Sequence, residues 1–510
     1  MKEKLKLLTD NTYLRGFFDN AGGYMFLNIP FEEVPWYSNN IASMEQKENF
    51  LTLFHEIIHL LQSCATIYGI SQYIEFINMR NLILFQLLKS LHKRSAFPSP
   101  LIQLSDKGDL KGELDSVLKN YKIMSMFNWV SEGGIKFIPP VEENKIDYIT
   151  TNIIPIYKYN LAFISEMKQK QPLGYSFTKL ATPYWLSSES KKRDLLVLLG
   201  AITLKESWSA LTTDMQDRLL VSNLNTKIES YKFDYEDYFE RCKKNLARNP
   251  YLKIYTCHVD FLTEYLELND YEDFSYFLVH LMDFVLMYFN KARVINPEIT
   301  PEMFFLDILD IVKENELLKK FELRNDRTDI SELYRIRKLI SDTLGFDDEE
   351  TTIKEFIKEQ IDPYIESFNK FPSGVIDAAY LRICKEGLIR RQWGKGLFTV
   401  PFNSELYQPV QSFLYYALDK GFFILDKNLK IIGDFSYLPR IIFDNLIEQF
   451  MFEEIVICPL IKLGIPCNEK ISSCDCSFYE LLKELIFRKH ECLFTNIMKL
   501  FGSDILNNNP

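Results

Sequence analysis

The chain has 510 residues, of which 47% are hydrophobic and 14% aromatic, so it carries ample material for a large core and is not a disordered chain. A net charge of -11 disfavours wholesale nucleic-acid binding, which needs a basic surface. Only 19 Gly and 20 Pro interrupt long runs of Leu, Ile, Phe, Lys and Glu, so helix is the expected main element, and the length suits roughly two to four domains.

The N-terminal MKEKLKLLTDNTYL lacks the apolar core of a signal peptide. In residues 13–36, Tyr24, Phe26 and Ile29 alternate around Gly22-Gly23 and Pro30, which predicts a strand or hairpin. Asn40 or Ser43 is then placed to cap a helix. That helix contains Asn49 to Thr66, NFLTLFHEIIHLLQSCAT. Its polar residues, Thr52, His55, Glu56, His59, Gln62, Ser63 and Thr66, fall at steps of three and four and form one stripe. The other faces are apolar, so the helix belongs inside the protein and its stripe must face a cleft, a metal or buried partners. His55-Glu56-Ile57-Ile58-His59 reads H-E-x-x-H. Two imidazoles one helical turn apart reach one Zn²⁺, and the Glu between them is placed to take a proton from activated water.

With its extension Leu60-Leu61-Gln62, then Thr66, Tyr68 and Gly69, the motif resembles the zincin superfamily of metallopeptidases and, within it, poorly characterised bacterial proteins. The resemblance implies Zn²⁺ held by His55 and His59, with Glu56 as general base and acid. It also implies a small sheet before the motif helix, whose edge strand can hold an extended peptide. The metzincin extension needs Gly and His where this chain has Gln62 and Ala65, so that branch is excluded. A downstream Glu ligand, as in the gluzincin branch, is the implied third donor.

A second helix is expected from about Ser71 to His92, after a break at Gly69. Residues 95–185 mix Pro, Gly and aromatics with apolar runs and read as an insertion. The stretch LLVLLGAITLKESWSALTTDMQDRL predicts a helix with Gly200 and Ala201 near its start, where small residues permit close approach. Thr203, Glu206, Ala210 and Thr213 share one of its faces. Glu206 is the preferred third ligand and Glu75, on the second helix, the alternative; the position four after Glu206, where a helper carboxylate often sits, is Ala210, and Asp214 lies a further turn on. His258, Tyr255 and Tyr68 are candidates to stabilise a developing oxyanion. His92, beside Lys93 and Arg94, reads as surface.

From about 186 to 370 the chain reads as helical, with acidic connections such as Asp347-Asp348-Glu349-Glu350. FSYFLVHLMDFVLMYF is interrupted by His280 and Asp283 and reads as a buried helix with a core histidine; no stretch reaches the length of a membrane span. PSGVIDAAY, residues 372–380, reads as a linker, and Lys385, Arg390, Arg391 and Lys395 as a solvated face. Cys458, Cys467, Cys474, Cys476, His490 and Cys492 offer either a second, structural Zn²⁺ site or independent reduced thiols. Nine Cys without a regular framework fit a reducing cytoplasm, with non-classical secretion left open.

The expected fold class is therefore α+β, predominantly α-helical. A zincin-like core spans 1–240 with its insertion at about 95–185. A helical region covers 241–370 and a C-terminal, Cys-containing, mainly helical region 371–510. The expected activity is zinc-dependent hydrolysis of a peptide or protein substrate, without nucleic acid. Two alternatives stand beside it: a non-catalytic zinc-containing helical protein that binds a partner through its C-terminal region, and a narrow-specificity protease acting as a toxin or defence effector.

Overall fold

The computed structural model describes residues 16–19, 24–36, 40–92, 136–137, 184–188, 193–197, 201–227, 274–296, 301–318, 330–370, 374–393, 407–428, 430–433 and 438–452. It also describes isolated positions from 100 to 118, and Leu266, Leu268, Ile299, Cys458 and Pro459. These residues are mostly helical, with two small sheets. The expected hairpin is present: β1 (Gly16–Asp19) pairs antiparallel with β2 (Tyr24–Leu27), and all four residues of β2 are buried.

The motif lies on α1 (Met44–Cys64). Of the two expected caps, Ser43 acts: its Oγ accepts a hydrogen bond from Gln46 N, and Gln46 Oε1 accepts one from Ala42 N. α1 is followed after two residues by α2 (Ile67–His92), which turns away by 71°. The second helix thus starts earlier than its sequence suggests. Gly69 is not a break but sits in the first turn of α2, where a Cβ would lie 2.3 Å from Gln62 O. The glycine permits the tight corner between the two helices.

The strands β3 (Lys136–Phe137), β4 (Tyr184–Ser188) and β5 (Arg193–Val197) form an antiparallel sheet in the order β3-β5-β4, directly ahead of α3 (Ala201–Lys227). α4 (Ser275–Ile295) is buried along most of its length, as expected for a core helix, and His280 is buried within it. No single helix among the described residues is long and apolar enough to cross a membrane. α5 (Pro301–Glu314) and α6 (Ile330–Leu344) pack on α4. α7 (Glu349–Phe356) runs through a π-helical turn, Ile357–Ile361, into α8 (Asp362–Phe368). The acidic run 347–350 is more than a connection, since Asp348 caps α7 by accepting a bond from Thr351 N at 2.7 Å.

Two further expectations are corrected. The segment expected as a linker enters α9 (Gly374–Trp393), and Ala378, Tyr380 and Leu381 are core residues. The basic run on α9 is not a solvated face. Lys385 pairs with Asp362 and Arg390 with Glu386, while Arg391 is buried among carboxylates; Lys395 lies outside the described residues. After α10 (Tyr407–Asp419) come β6 (Phe423–Asp426), β7 (Ile431–Gly433) and α11 (Leu438–Phe452).

β6 and β7 join the N-terminal hairpin in one sheet of order β1-β2-β6-β7, with β2 and β6 parallel. Residues from all three expected regions meet in a single hydrophobic core, which includes Phe26, Leu53, Phe54, Trp208, Phe284, Leu388 and Phe413. The sheet packs against α1 through β1 and β2, while α3 and α9 pack along other sides of α1.

Candidate metal centre

α1 and α3 run antiparallel, and polar bonds tie them together along their length. Near the start of α1, the buried Lys47 Nζ donates to Asp217 Oδ1 at 2.6 Å. Near its end, Gln62 Nε2 donates to Lys205 O at 2.8 Å and to Ser209 Oγ at 3.1 Å. Between these ties Glu206 faces the histidine pair. His55 Nε2 and His59 Nε2 are 3.1 Å apart, and Glu206 Oε2 lies 3.5 Å from the first and 3.3 Å from the second. Donor atoms held about 2.0–2.1 Å from one tetrahedral ion stand about 3.3–3.4 Å apart, so this triangle is the size of one face of such a site. His55, His59 and Glu206 can hold a metal ion. Their side chains are 18%, 13% and 22% exposed, which leaves the centre reachable from solvent.

The partners of the outer ring nitrogens decide which nitrogens face the centre. Lys205 O can only accept, so the Gln62 NH₂ lies there and its Oε1 is free to accept from His59 Nδ1, 2.9 Å away. Thr213 Oγ1 donates its hydrogen to Ser209 O at 2.7 Å and can therefore accept from His55 Nδ1 at 3.3 Å. Both imidazoles thus carry N–H at Nδ1 and turn Nε2 inward, the arrangement that metal-binding histidines use. Two inward lone pairs and a carboxylate oxygen cannot satisfy one another without a positive charge. Burial alone would lower His59, but Glu206 outweighs it and carries His59 up to about 9. Burial holds His55 below its ordinary value. Burial would raise Glu206, yet His59 and His55 keep it well below the usual carboxylate range.

Glu56 is 4% exposed, and its Oε2 accepts no hydrogen bond among the described residues. Burial pushes its carboxyl up to about 8, against the opposing pull of His59. A positive charge in the triangle would favour the carboxylate form. β1 crosses directly over it: a Cβ on Gly16 would lie 2.9 Å from both Glu56 Cγ and Oε1. Only glycine lets the strand backbone come this close without moving the carboxyl.

Among the described residues, the other candidates are not part of this cluster. Glu75, in the third turn of α2, pairs with Arg293 at 3.0 Å. Asp214 is bonded to Arg218 on its own helix. Tyr68 is buried against Phe289, and its hydroxyl accepts a bond from Gln72. Tyr255, His258, Cys467, Cys474, Cys476, His490 and Cys492, with the side chain of His92, lie outside the described residues; Cys458 is partly exposed. Sequence reasoning placed Gln62 on the polar stripe and Thr213 on the Glu206 face but did not see that they fix the two imidazoles. Ser209 and Gly16 were missed. Ser209, three residues after Glu206, carried a readable helical-spacing signal; Gly16 carried none.

No family model, curated protein or solved structure matches the chain.

Proposed function

We propose that this protein is a zinc-dependent metallopeptidase with a zincin-like core, in which His55, His59 and Glu206 hold the metal and Glu56 moves the protons. The observation that carries the reading is the triangle of inward-facing donors beside a buried carboxyl with an unpartnered oxygen. A bound Zn²⁺ would supply an acidified water and a positive charge for the oxyanion that develops at a carbonyl. Glu56 takes a proton from that water at its carboxylate and passes it to the departing amine nitrogen, so one side chain serves as base and then acid. Burial shields Glu56 from bulk water and raises its affinity for a proton, while a positive charge in the triangle would favour the carboxylate that accepts it. Gln62 and Thr213 hold the imidazoles with Nε2 inward throughout.

The non-catalytic alternative is less well supported. A structural zinc site is closed by four protein ligands, whereas only three converge among the described residues. Such a site would also have no use for a buried carboxyl with an unpartnered oxygen beside it. The test is Glu56→Gln in the full chain. Zinc content should match the parent, while hydrolysis of a peptide library falls by about 10²–10⁴-fold. Equal turnover in the two proteins would remove Glu56 from the mechanism.

A further inference from the structure

We infer that α9 is a positioning element of the metal centre, and that Arg391 is a positioning residue which holds the last turn of α1 and, through it, the His59 imidazole. The inference rests on the metal-centre reading above. The last carbonyls of any helix lack partners in the helix itself, and the end of α1 is where His59 and Gln62 sit. α9 meets that end in two places four residues apart, on one face of the helix. At Gly387 the two backbones touch: a Cβ there would lie 2.6 Å from Cys64 O and 3.2 Å from Cys64 C and Phe413 Cζ. One turn on, Arg391 Nη1 donates to Ala65 O, the C-cap of α1, at 3.4 Å. A cation at a helix C-terminus opposes the negative end of its dipole.

The guanidinium cannot drift. It is 1% exposed, its Nη2 is bonded to Asp283 on α4, and its Nε donates to Glu349 Oε1 on α7 at 2.7 Å. The corner it secures continues directly to the site. Thr66 Oγ1 donates to Gln62 O, Gly69 N donates to Thr66 Oγ1, and the Gln62 side chain receives His59 Nδ1. A displacement of this corner moves the acceptor that aims His59. Arg337 supplies a control built into the fold. It shares Asp283 and Glu349 with Arg391, and its remaining bond goes to His280 O on α4, not to α1.

The experiment titrates Co²⁺ into the full-length protein and follows the visible absorption bands, which report coordination geometry, together with thermal denaturation. The variants are Arg391→Met, Arg391→Lys, Gly387→Ala and Arg337→Met. We expect Arg391→Met and Gly387→Ala to weaken Co²⁺ binding by about tenfold or more and to alter the bands, with Arg391→Lys partly restoring both. Arg337→Met should lower the melting temperature comparably yet leave Co²⁺ affinity within about twofold of the parent, because loss of a metal-orienting contact and loss of packing are different effects. Gly387→Ala keeps the charges intact, so it carries the test even when Arg391→Met does not fold. Co²⁺ affinity that tracks the melting temperature equally in both arginine variants, or that stays unchanged in Arg391→Met and Gly387→Ala, overturns the positioning role while leaving the metal centre standing. A parent protein that takes up no Co²⁺ overturns both.

Discussion

Two buried polar clusters in this protein are built on opposite rules. Around Asp283, Arg337, Glu349 and Arg391, donors meet acceptors: two guanidinium groups divide their N–H groups between two carboxylates, His280 O and Ala65 O. The charges balance within the cluster, although Asp283 Oδ1 accepts no hydrogen bond among the described residues. Around His55, His59 and Glu206 the inward atoms are all lone-pair bearers, and a satisfying positive charge has to come from outside the trio. Burial alone does not separate structure from function, since the side chains of both clusters are mostly removed from solvent. The polarity of the groups that face one another does.

Substitutions that test this contrast fall in order of expected effect. Glu206→Ala removes one corner of the triangle and should abolish stoichiometric zinc binding, read by elemental analysis after dialysis. Full zinc content in that variant would mean that Glu206 is not a ligand. In the balanced cluster, Glu349→Ala leaves two buried guanidinium groups short of an acceptor and should cost about 3–5 kcal/mol of unfolding free energy in urea. A cost under about 1 kcal/mol would show the pair behaving as a surface one. Gln62→Ala removes the acceptor that orients His59 and should weaken zinc affinity by about 10–100-fold with the helical circular-dichroism signal retained.

The smallest effect is one of pH. Burial would raise Glu349, but Arg337 and Arg391 hold it down at about 2, against an ordinary value of 4.5. A carboxylate whose folded value is depressed adds stability above its unfolded value and loses it as pH falls through the folded one. The parent should therefore lose stability as the pH drops from 4.5 towards 2, and Glu349→Ala should show a shallower acid slope over that window. Parallel slopes in the two proteins would contradict the assignment.

The parts of this molecule that the sequence made legible are those set by local spacing. The motif helix, its Ser43 cap, the N-terminal hairpin and the buried character of α4 follow from periodicity and turn residues within a few positions. Glu206 was legible because its helix offers small residues and a polar face that points one way, and the structure brings it to the histidine pair. Arg391 was not, because its carboxylate partners Asp283 and Glu349 are 108 and 42 positions away and its neighbours in sequence are basic. Pro372-Ser373-Gly374 has the composition of a linker, but Gly374 is needed for another reason: a Cβ there would lie 2.3 Å from Phe368 O. Composition records that a glycine is present and not which backbone it must clear. The ion pair of Glu75 was hidden for a similar reason, since Arg293, its partner, stands 218 positions further on.

The parallel pairing of β2 with β6 joins Tyr24 to Phe423. On a ribosome that adds about 5–20 residues per second, the two segments emerge about 20–80 s apart. Until then the nascent chain holds a lone two-stranded ribbon, which is marginally stable in water and exposes a strand edge able to pair with other chains. The hydrogen-bonding row that will back the motif helix is therefore on offer to strangers for most of synthesis, and cellular yield should depend on whatever shields that edge while the rest of the polypeptide is made.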